Sequence, residues 1–309
     1  MFRAVRVMRA AFSFSIDKAR RHGGAFSDER KCVRQIGGDT TSGGDIREDG
    51  LGQNKDNEQI AALQHFIDQG DLIGGNERGS DALGLIAEVL GVVKSGKEAT
   101  VYLCEASDGG LVAAKVYRSR QVRQFANAAA YGEGRTRGAS RRDALAMTKK
   151  SRVGQEMSFG QWVSAEYATL HLLHAAGVAV PKPIAMSSSV IVMEYIGDED
   201  APAAPLASAR FAHPEAVRVF GVLMRNIEMM LACDRVHGDL SAYNVLSRDG
   251  DLRIIDFPQA VDARFNSNAL SLLERDIENL CGYFARLGVE EDGHRIARGL
   301  WARFLRGEL

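Results

Sequence analysis

Three observations predict an α+β chain in two lobes, a small β-rich one followed by a helical one. Apolar strand-like segments and a hairpin turn crowd residues 83–117 and return at 190–196. Helical periodicity dominates from Val217 to the C-terminus. An Ala- and Pro-rich stretch, Asp198 to Pro214, separates the two regions and reads as a linker. At 309 residues, with 45% hydrophobic and 26% charged content, the chain is long enough for a substantial core. Its net charge of -1 gives no global pull toward nucleic acid or anionic membrane.

Residues 1–58 carry Gly37-Gly38, Gly43-Gly44 and many polar groups without periodicity, so a poorly ordered basic extension is expected. Arg3, Arg6 and Arg9 precede the first acidic residue, Asp17, a composition shared with transit peptides. Composition is a weak warrant for targeting, and a plain extension or an upstream translation start is the expected reading. The first lobe is expected over 59–197 and the second over 198–309. Ile60 to Ile67 has helical spacing, stopped by Gly70 and Gly74-Gly75.

Ile86 to Val93 reads as a strand, Lys94 to Lys97 as a tight segment and Thr100 to Leu103 as the next strand. Asp108-Gly109-Gly110 signals a hairpin into the returning strand Leu111 to Tyr117. Lys115 lies inside that apolar strand, where a lysine requires an anionic partner. Residues 118–155 hold ten basic residues against Glu133 and Asp143, a local excess of eight positive charges. Such a run is ordinarily a solvated, flexible face; its functional reading is a segment that meets phosphates of a nucleotide or RNA. Few aromatics interleave it, which argues against a base-stacking platform.

A helix is expected from about Ser158 to Ala176, carrying Trp162, Glu166, Leu170 and Leu173, with Gly177 as its cap. Pro181 and Pro183 mark an extended crossing, and Val190 to Ile196 is a buried strand running into a hinge at Gly197. Later helices are expected at Val217–Cys233, Leu270–Leu287 and Arg295–Leu305. Cys32, Cys104, Cys233 and Cys281 lie far apart without ligand spacing, and read as reduced thiols of a cytoplasmic protein. No apolar run approaches the roughly 18–20 residues of a membrane helix, so no membrane partner is expected.

The chemistry concentrates in Val236-His237-Gly238-Asp239-Leu240-Ser241-Ala242-Tyr243-Asn244 and in Ile254-Ile255-Asp256-Phe257-Pro258-Gln259. An Asp and an Asn five apart on one loop, then Asp-Phe after the next strand, position a hydroxyl nucleophile and hold magnesium in phosphoryl transfer. Asp239 can align the attacking hydroxyl. Asn244 and Asp256 offer the oxygen ligands that Mg²⁺ prefers. Lys115 would meet nucleotide phosphates, steadied by a helix carboxylate for which Glu166 is the best candidate. Each has a bland reading: an Asp after Gly is often a turn residue, and a buried Lys–Glu pair is often structural. The ordered set outweighs them. His237 is expected to pack its loop rather than titrate in chemistry, and His65, His171, His174 and His213 show no ligand spacing.

These motifs, with Ser95-Gly96-Lys97-Glu98-Ala99-Thr100-Val101-Tyr102, Met193-Glu194-Tyr195-Ile196-Gly197, Ala269-Leu270 through Leu273, Arg275-Asp276 and Phe284, resemble the RIO-type atypical serine/threonine protein kinases, closest to their first subfamily. The resemblance spans roughly residues 60–290. It implies a two-lobed protein-kinase-like fold with a reduced helical C-lobe, and ATP with Mg²⁺ (or Mn²⁺) between the lobes. Asp239 would be the catalytic aspartate, Asn244 and Asp256 the metal ligands, and Lys115 the phosphate-binding lysine. Asp256 could also carry a transient acyl phosphate. Ser95 and Lys97 would cover the phosphates beside the lone Gly96. Adenine would bond the backbone near Glu194 and Ile196, with Met193 next to the base.

Two replacements depart from ordinary protein kinases: Ser241 stands where many carry a phosphate-binding lysine, and Pro258 replaces the Gly of Asp-Phe-Gly. The proline's fixed φ should restrict loop flipping. The short segment from Gln259 to Leu270 leaves little room for a peptide platform. The implied partners are ATP, a protein substrate or the chain itself, and an RNA or pre-ribosomal particle met through the basic run. Alternatives are an ATPase switch in ribosome maturation and a small-molecule phosphotransferase. The latter usually needs a larger helical domain after the metal loop, and only about fifty residues remain.

Overall fold

The computed structural model describes Leu63, residues 85–118 and residues 152–309, with side chains from 159 onward in the last stretch. The extension over 1–58 and nearly all of the basic run lie outside the described residues. Of the helix expected at 60–67, Leu63 is described; it is helical and fully buried.

Five antiparallel strands form the first sheet: β1 (Ile86–Ser95), β2 (Ala99–Ala106), β3 (Leu111–Tyr117), β4 (Pro183–Met186) and β5 (Val190–Glu194), in the order β1-β2-β3-β5-β4. The β2–β3 hairpin closes at the expected Asp-Gly-Gly, where Gly109 takes φ +83° and the Gly110 N–H donates to the Asp108 carboxylate at 2.9 Å. Pro183, expected in a plain crossing, instead opens β4. This is an edge strand, where a missing N–H costs no ladder bond.

Helix α1 (Arg152–Ala175) begins six residues before the expected start, because its first turns hold Gly154 and no apolar stripe for pattern reading to find. Gly177 ends it at φ +80°, with the Val178 N–H donating back to the Leu173 carbonyl at 3.0 Å.

Alternation divides the sheet between two cores. Tyr102, Cys104, Val112, Ala114, Val116, Val190 and Val192 close over Leu63 and Ile86. On the opposite face Ala99, Tyr117 and Ile191 join Trp162, Leu170 and Leu173 of α1 in a core that runs without a break into the C-terminal helices. The helices there are α2 (His213–Ala232), α3 (Ala269–Ala285) and α4 (Gly293–Leu305). Val219, Phe220, Leu223, Ile227 and Met230 of α2 recur at helical spacing and are buried, with Phe220 edge-on to Phe284 of α3 at 5.3 Å.

The stretch expected as a linker is a built strap. Pro202 bridges Gly197, β6 (Ala204–Pro205) pairs with β8 (Val245–Arg248), and a 3₁₀ turn at Leu206–Ser208 buries Leu206 completely. Pro214, where the sequence pattern ends the linker, lies in the first turn of α2, where no partner is needed for its nitrogen. β8 and β9 (Asp251–Ile254) form a hairpin over Asp249-Gly250, both at positive φ. Two-residue strands β7 (Arg235–Val236) and β10 (Val261–Asp262) pair antiparallel, tying the segment before Asp239 to the segment after Asp256. Among the described residues no helix is long and apolar enough to cross a membrane.

Candidate active site

A cleft of about 710 Å³ lies between the sheet and the β8–β9 hairpin. Its upper wall is the inner face of the sheet: Ala113 and Lys115 two apart on β3, Val101 opposite Lys115 on β2, and Met193 opposite Ala113 on β5.

Lys115 is buried at 8% exposure, and its ammonium donates to Glu166 Oε1 at 2.8 Å and to Asp256 Oδ1 at 2.6 Å. Burial disfavours its charge, but the carboxylates of Asp256 and Glu166 reverse the effect and hold its pKa well above that of an ordinary lysine. Glu166 is itself buried on α1, and its second oxygen accepts the Tyr117 hydroxyl. The Tyr117 ring stands edge-on against Trp162 at 5.1 Å, fixing the pair. For Asp256, burial pushes the pKa up, yet the Lys115 charge and hydrogen bond hold it below the usual range. Its side chain keeps 41% exposure, so an oxygen remains open to the cleft. Its backbone sits at φ +73°, a left-handed conformation that few non-glycine residues adopt and that aspartate tolerates better than most.

Asp239 reaches the same cleft and is solvent-exposed there. Desolvation on its protein side raises its pKa; Arg275 opposes the rise and the Asp256 charge adds to it. The backbone around it is clamped from below. Asp276 of α3, 1% exposed, accepts the N–H groups of Gly238 at 2.8 Å and Leu240 at 2.9 Å. Arg275 donates to the Gly238 carbonyl and Asn279 to the Leu240 carbonyl at 3.1 Å. Burial pushes the Asp276 carboxyl up to about 7 against the pull of those two amides.

His237 is 1% exposed, and its Nδ1 accepts the Asp239 N–H at 3.3 Å. That leaves the proton on Nε2, which donates to the Ile255 carbonyl at 3.1 Å. The ring is therefore a neutral brace between the Asp239 loop and the Asp256 loop, and burial lowers its pKa to about 4.

Asn244 does not line the cleft; its Nδ2 donates to the Asp239 carbonyl at 2.9 Å, so the amide oxygen is the atom of that side chain suited to a cation. Ser95 does not line the cleft either. Arg118 draws its hydroxyl away at 2.9 Å while also gripping the Gly96 carbonyl at 2.7 Å and the Thr100 hydroxyl at 2.8 Å. Gly96 and Lys97 do line it. So do Met193, Glu194 and Ile196. The Ile196 carbonyl is already taken by the Ala203 N–H at 2.9 Å, and the Glu194 carboxylate by the Lys182 N–H at 3.0 Å. A hinge ligand would therefore find the Ile196 N–H rather than its carbonyl.

The residues missed at the sequence level are Lys94, Glu98, Tyr117, Arg118 and the role of Arg275 and Asp276. Glu98 lines the cleft, and burial, then the Asp256 charge, raise its pKa. Spacing carried no signal for Asp276, which meets Leu240 across 36 positions of chain.

Comparison with known proteins decides the family. Residues 100–296 match the family model described as the RIO domain. The chain belongs to the RIO domain family. It is 32% identical over 245 residues to the RIO-type serine/threonine-protein kinase Rio1 of Haloferax volcanii, covering 78% of this chain and 73% of that one. It is 30% identical to the human serine/threonine-protein kinase RIO1, over 67% of this chain but only 35% of the human protein. The match to the fission-yeast relative likewise covers 39% of that protein. Its fold resembles the Rio2 kinase of Chaetomium thermophilum, with a TM-score of 0.51 at 18% identity over 83% of this chain and 74% of that one. The RIO domain here is thus a kinase-like α+β fold of the phosphotransferase class, related to serine/threonine-protein kinases.

Proposed function

We propose that this RIO domain is an ATP- and Mg²⁺-dependent serine/threonine phosphotransferase whose main protein substrate is itself. The observation that carries this is Lys115 held between Glu166 and Asp256 on the wall of a cleft that also presents Asp239. Phosphoryl transfer asks a protein for positioning and charge neutralisation, and these groups supply both. Asp239, with its raised pKa, accepts the hydrogen bond of an incoming hydroxyl and aligns it. Lys115 meets the phosphates. The hinge backbone and Met193 hold the base.

The donors fit a hard cation of Mg²⁺ or Mn²⁺ type. Asp256 and Asn244 offer oxygens, and no cluster of three or more His, Cys, Asp or Glu able to hold a metal alone exists among the described residues. That is the donor set of an ion taking its remaining ligands from phosphates and water. When bound, it neutralises the phosphate oxygens in transfer.

Self-directed activity is supported by the short segment after Asp256. β10 pins it to β7, Arg235 pairs with Asp262 at 3.1 Å, and the Ala263 N–H bonds the Asp234 carbonyl at 2.9 Å. The segment is short and pinned at both strands, which leaves little chain to shape a platform for a peptide. Cys104, Cys233 and Cys281 are free, which fits a reducing, cytoplasmic setting.

A second reading is favoured by the resembling Rio2 kinase, whose crystal structure is a complex with ADP, Mg²⁺ and phosphoaspartate. In it an Asp256 carboxylate oxygen attacks the terminal phosphorus, the bond to ADP breaks, and water later releases phosphate. The chain then serves as an ATPase switch. Pre-ribosomal or other RNA partners rest on the basic run alone.

The fate of labelled terminal phosphate separates these. The kinase reading expects label on serine or threonine, stable to hydroxylamine. The switch reading expects hydroxylamine-labile label and free phosphate, both lost in Asp256→Ala. If wild-type protein neither takes label nor consumes ATP, both readings fail.

A further inference from the structure

We infer that Lys94 is a further phosphate-contacting residue, reaching the terminal phosphate of the nucleotide from the edge of the sheet. The inference rests on the phosphotransferase reading above.

The register of β1 on β2 carries it. Val92 lies opposite Tyr102, which faces the outer core, and Lys94 lies opposite Val101, so Val93 is an extra residue in β1, a β-bulge. In an unbroken ladder Val93 would oppose Val101 and Lys94 would oppose Thr100, turning the lysine to the outer face. The bulge reverses that. Lys94, Val101 and Lys115 become one lateral row across three strands, and directly opposed residues share a face. All three line the cleft, as does Val93.

Position along the row gives the phosphate. The hinge lies beyond β5 and Lys115 is on β3, next to it; Lys94 is two strands further away, roughly 10 Å from Lys115 across the row. A nucleotide with its base at the hinge and its inner phosphates at Lys115 extends its terminal phosphate toward Lys94. Charge supports the placement. Lys115 is engaged by two carboxylates, and five carboxylates face the cleft against three lysines. Lys94 is exposed, and its charge already reaches Asp256. Ser241 leaves the loop after Asp239 without a cation at that position. Lys94 supplies one from the opposite wall.

The test is the affinity of the whole chain for ATP and for ADP, each with Mg²⁺, by titration calorimetry, for wild type, Lys94→Met and Lys94→Arg. The inference expects Lys94→Met to weaken ATP about tenfold while ADP changes less than about twofold, with Lys94→Arg restoring most of the difference. Equal losses for both nucleotides would place Lys94 on an inner phosphate or in a structural role and overturn the assignment. An unchanged ATP-to-ADP ratio would do the same. If wild type binds neither nucleotide, it is the phosphotransferase reading that falls.

Discussion

His237 offers a measurement that reads the architecture beneath the cleft. The ring is neutral by geometry, accepting the Asp239 N–H and donating to the Ile255 carbonyl, and stacked obliquely on Phe257 at 4.7 Å. Its pKa falls from an ordinary 6.5 to about 4 because burial disfavours the charged ring. The folded state therefore takes up a proton less readily than the unfolded chain. The stability so conferred is complete above the unfolded pKa and is lost as pH falls from about 6.5 toward 4. A gap of about 2.5 pH units amounts to about 3.4 kcal/mol in full, of which about 2 kcal/mol is gone by pH 5. Urea unfolding at pH 7.5 and pH 5.0, in wild type and in His237→Gln, isolates this contribution from the other titrating groups. The wild type should lose about 2 kcal/mol more than the variant over that interval. Identical losses would refute a buried neutral brace linking the Asp239 and Asp256 loops.

Glu166→Gln keeps an acceptor for Tyr117 but removes a charged partner of Lys115; kcat/KM for ATP should fall about 10- to 100-fold in steady-state assays. Arg118→Ala frees Ser95 and the Gly96 carbonyl, so KM for ATP should rise about 3- to 10-fold with kcat within about twofold, and Arg118→Lys should recover little because one ammonium cannot copy a guanidinium fork. Gly197→Ala places a methyl 2.6 Å from the Tyr195 ring and 2.7 Å from the Ala201 carbonyl. Calorimetry should show a loss of about 1–3 kcal/mol, seen as a Tm lower by several degrees.

The sequence was informative where chemistry forces a local signature. A lysine in an apolar strand had to find carboxylates, and Glu166 at its place on α1 is one of them. The Asp-Gly-Gly turn located the hairpin, and the register followed from it. What stayed hidden depends on register or on contacts distant in sequence. The bulge at Val93 decides which way Lys94 faces, and one residue of slip is invisible to composition. Asp276 belongs to a segment shared with the RIO-type kinases, but its role shows only when the fold sets it under Gly238 and Leu240. The Asp198–Pro214 strap reads as a linker because its order comes from contacts distant in sequence, the pairing of Ala204–Pro205 with β8, the burial of Leu206 and the Asp198–Arg248 pair at 2.5 Å, and not from any periodic apolar pattern. Ser95 was expected over the phosphates, and Arg118, which starts the basic run, turns it aside.

The central claim is that Asp239 serves the chemical step while Lys115, Glu166 and Asp256 hold the nucleotide. Single-turnover transfer of labelled terminal phosphate by Asp239→Asn, set beside its ATP affinity, tests it most directly. The account predicts transfer slowed at least about 100-fold with ATP affinity within about threefold of wild type. Transfer at the wild-type rate would contradict it.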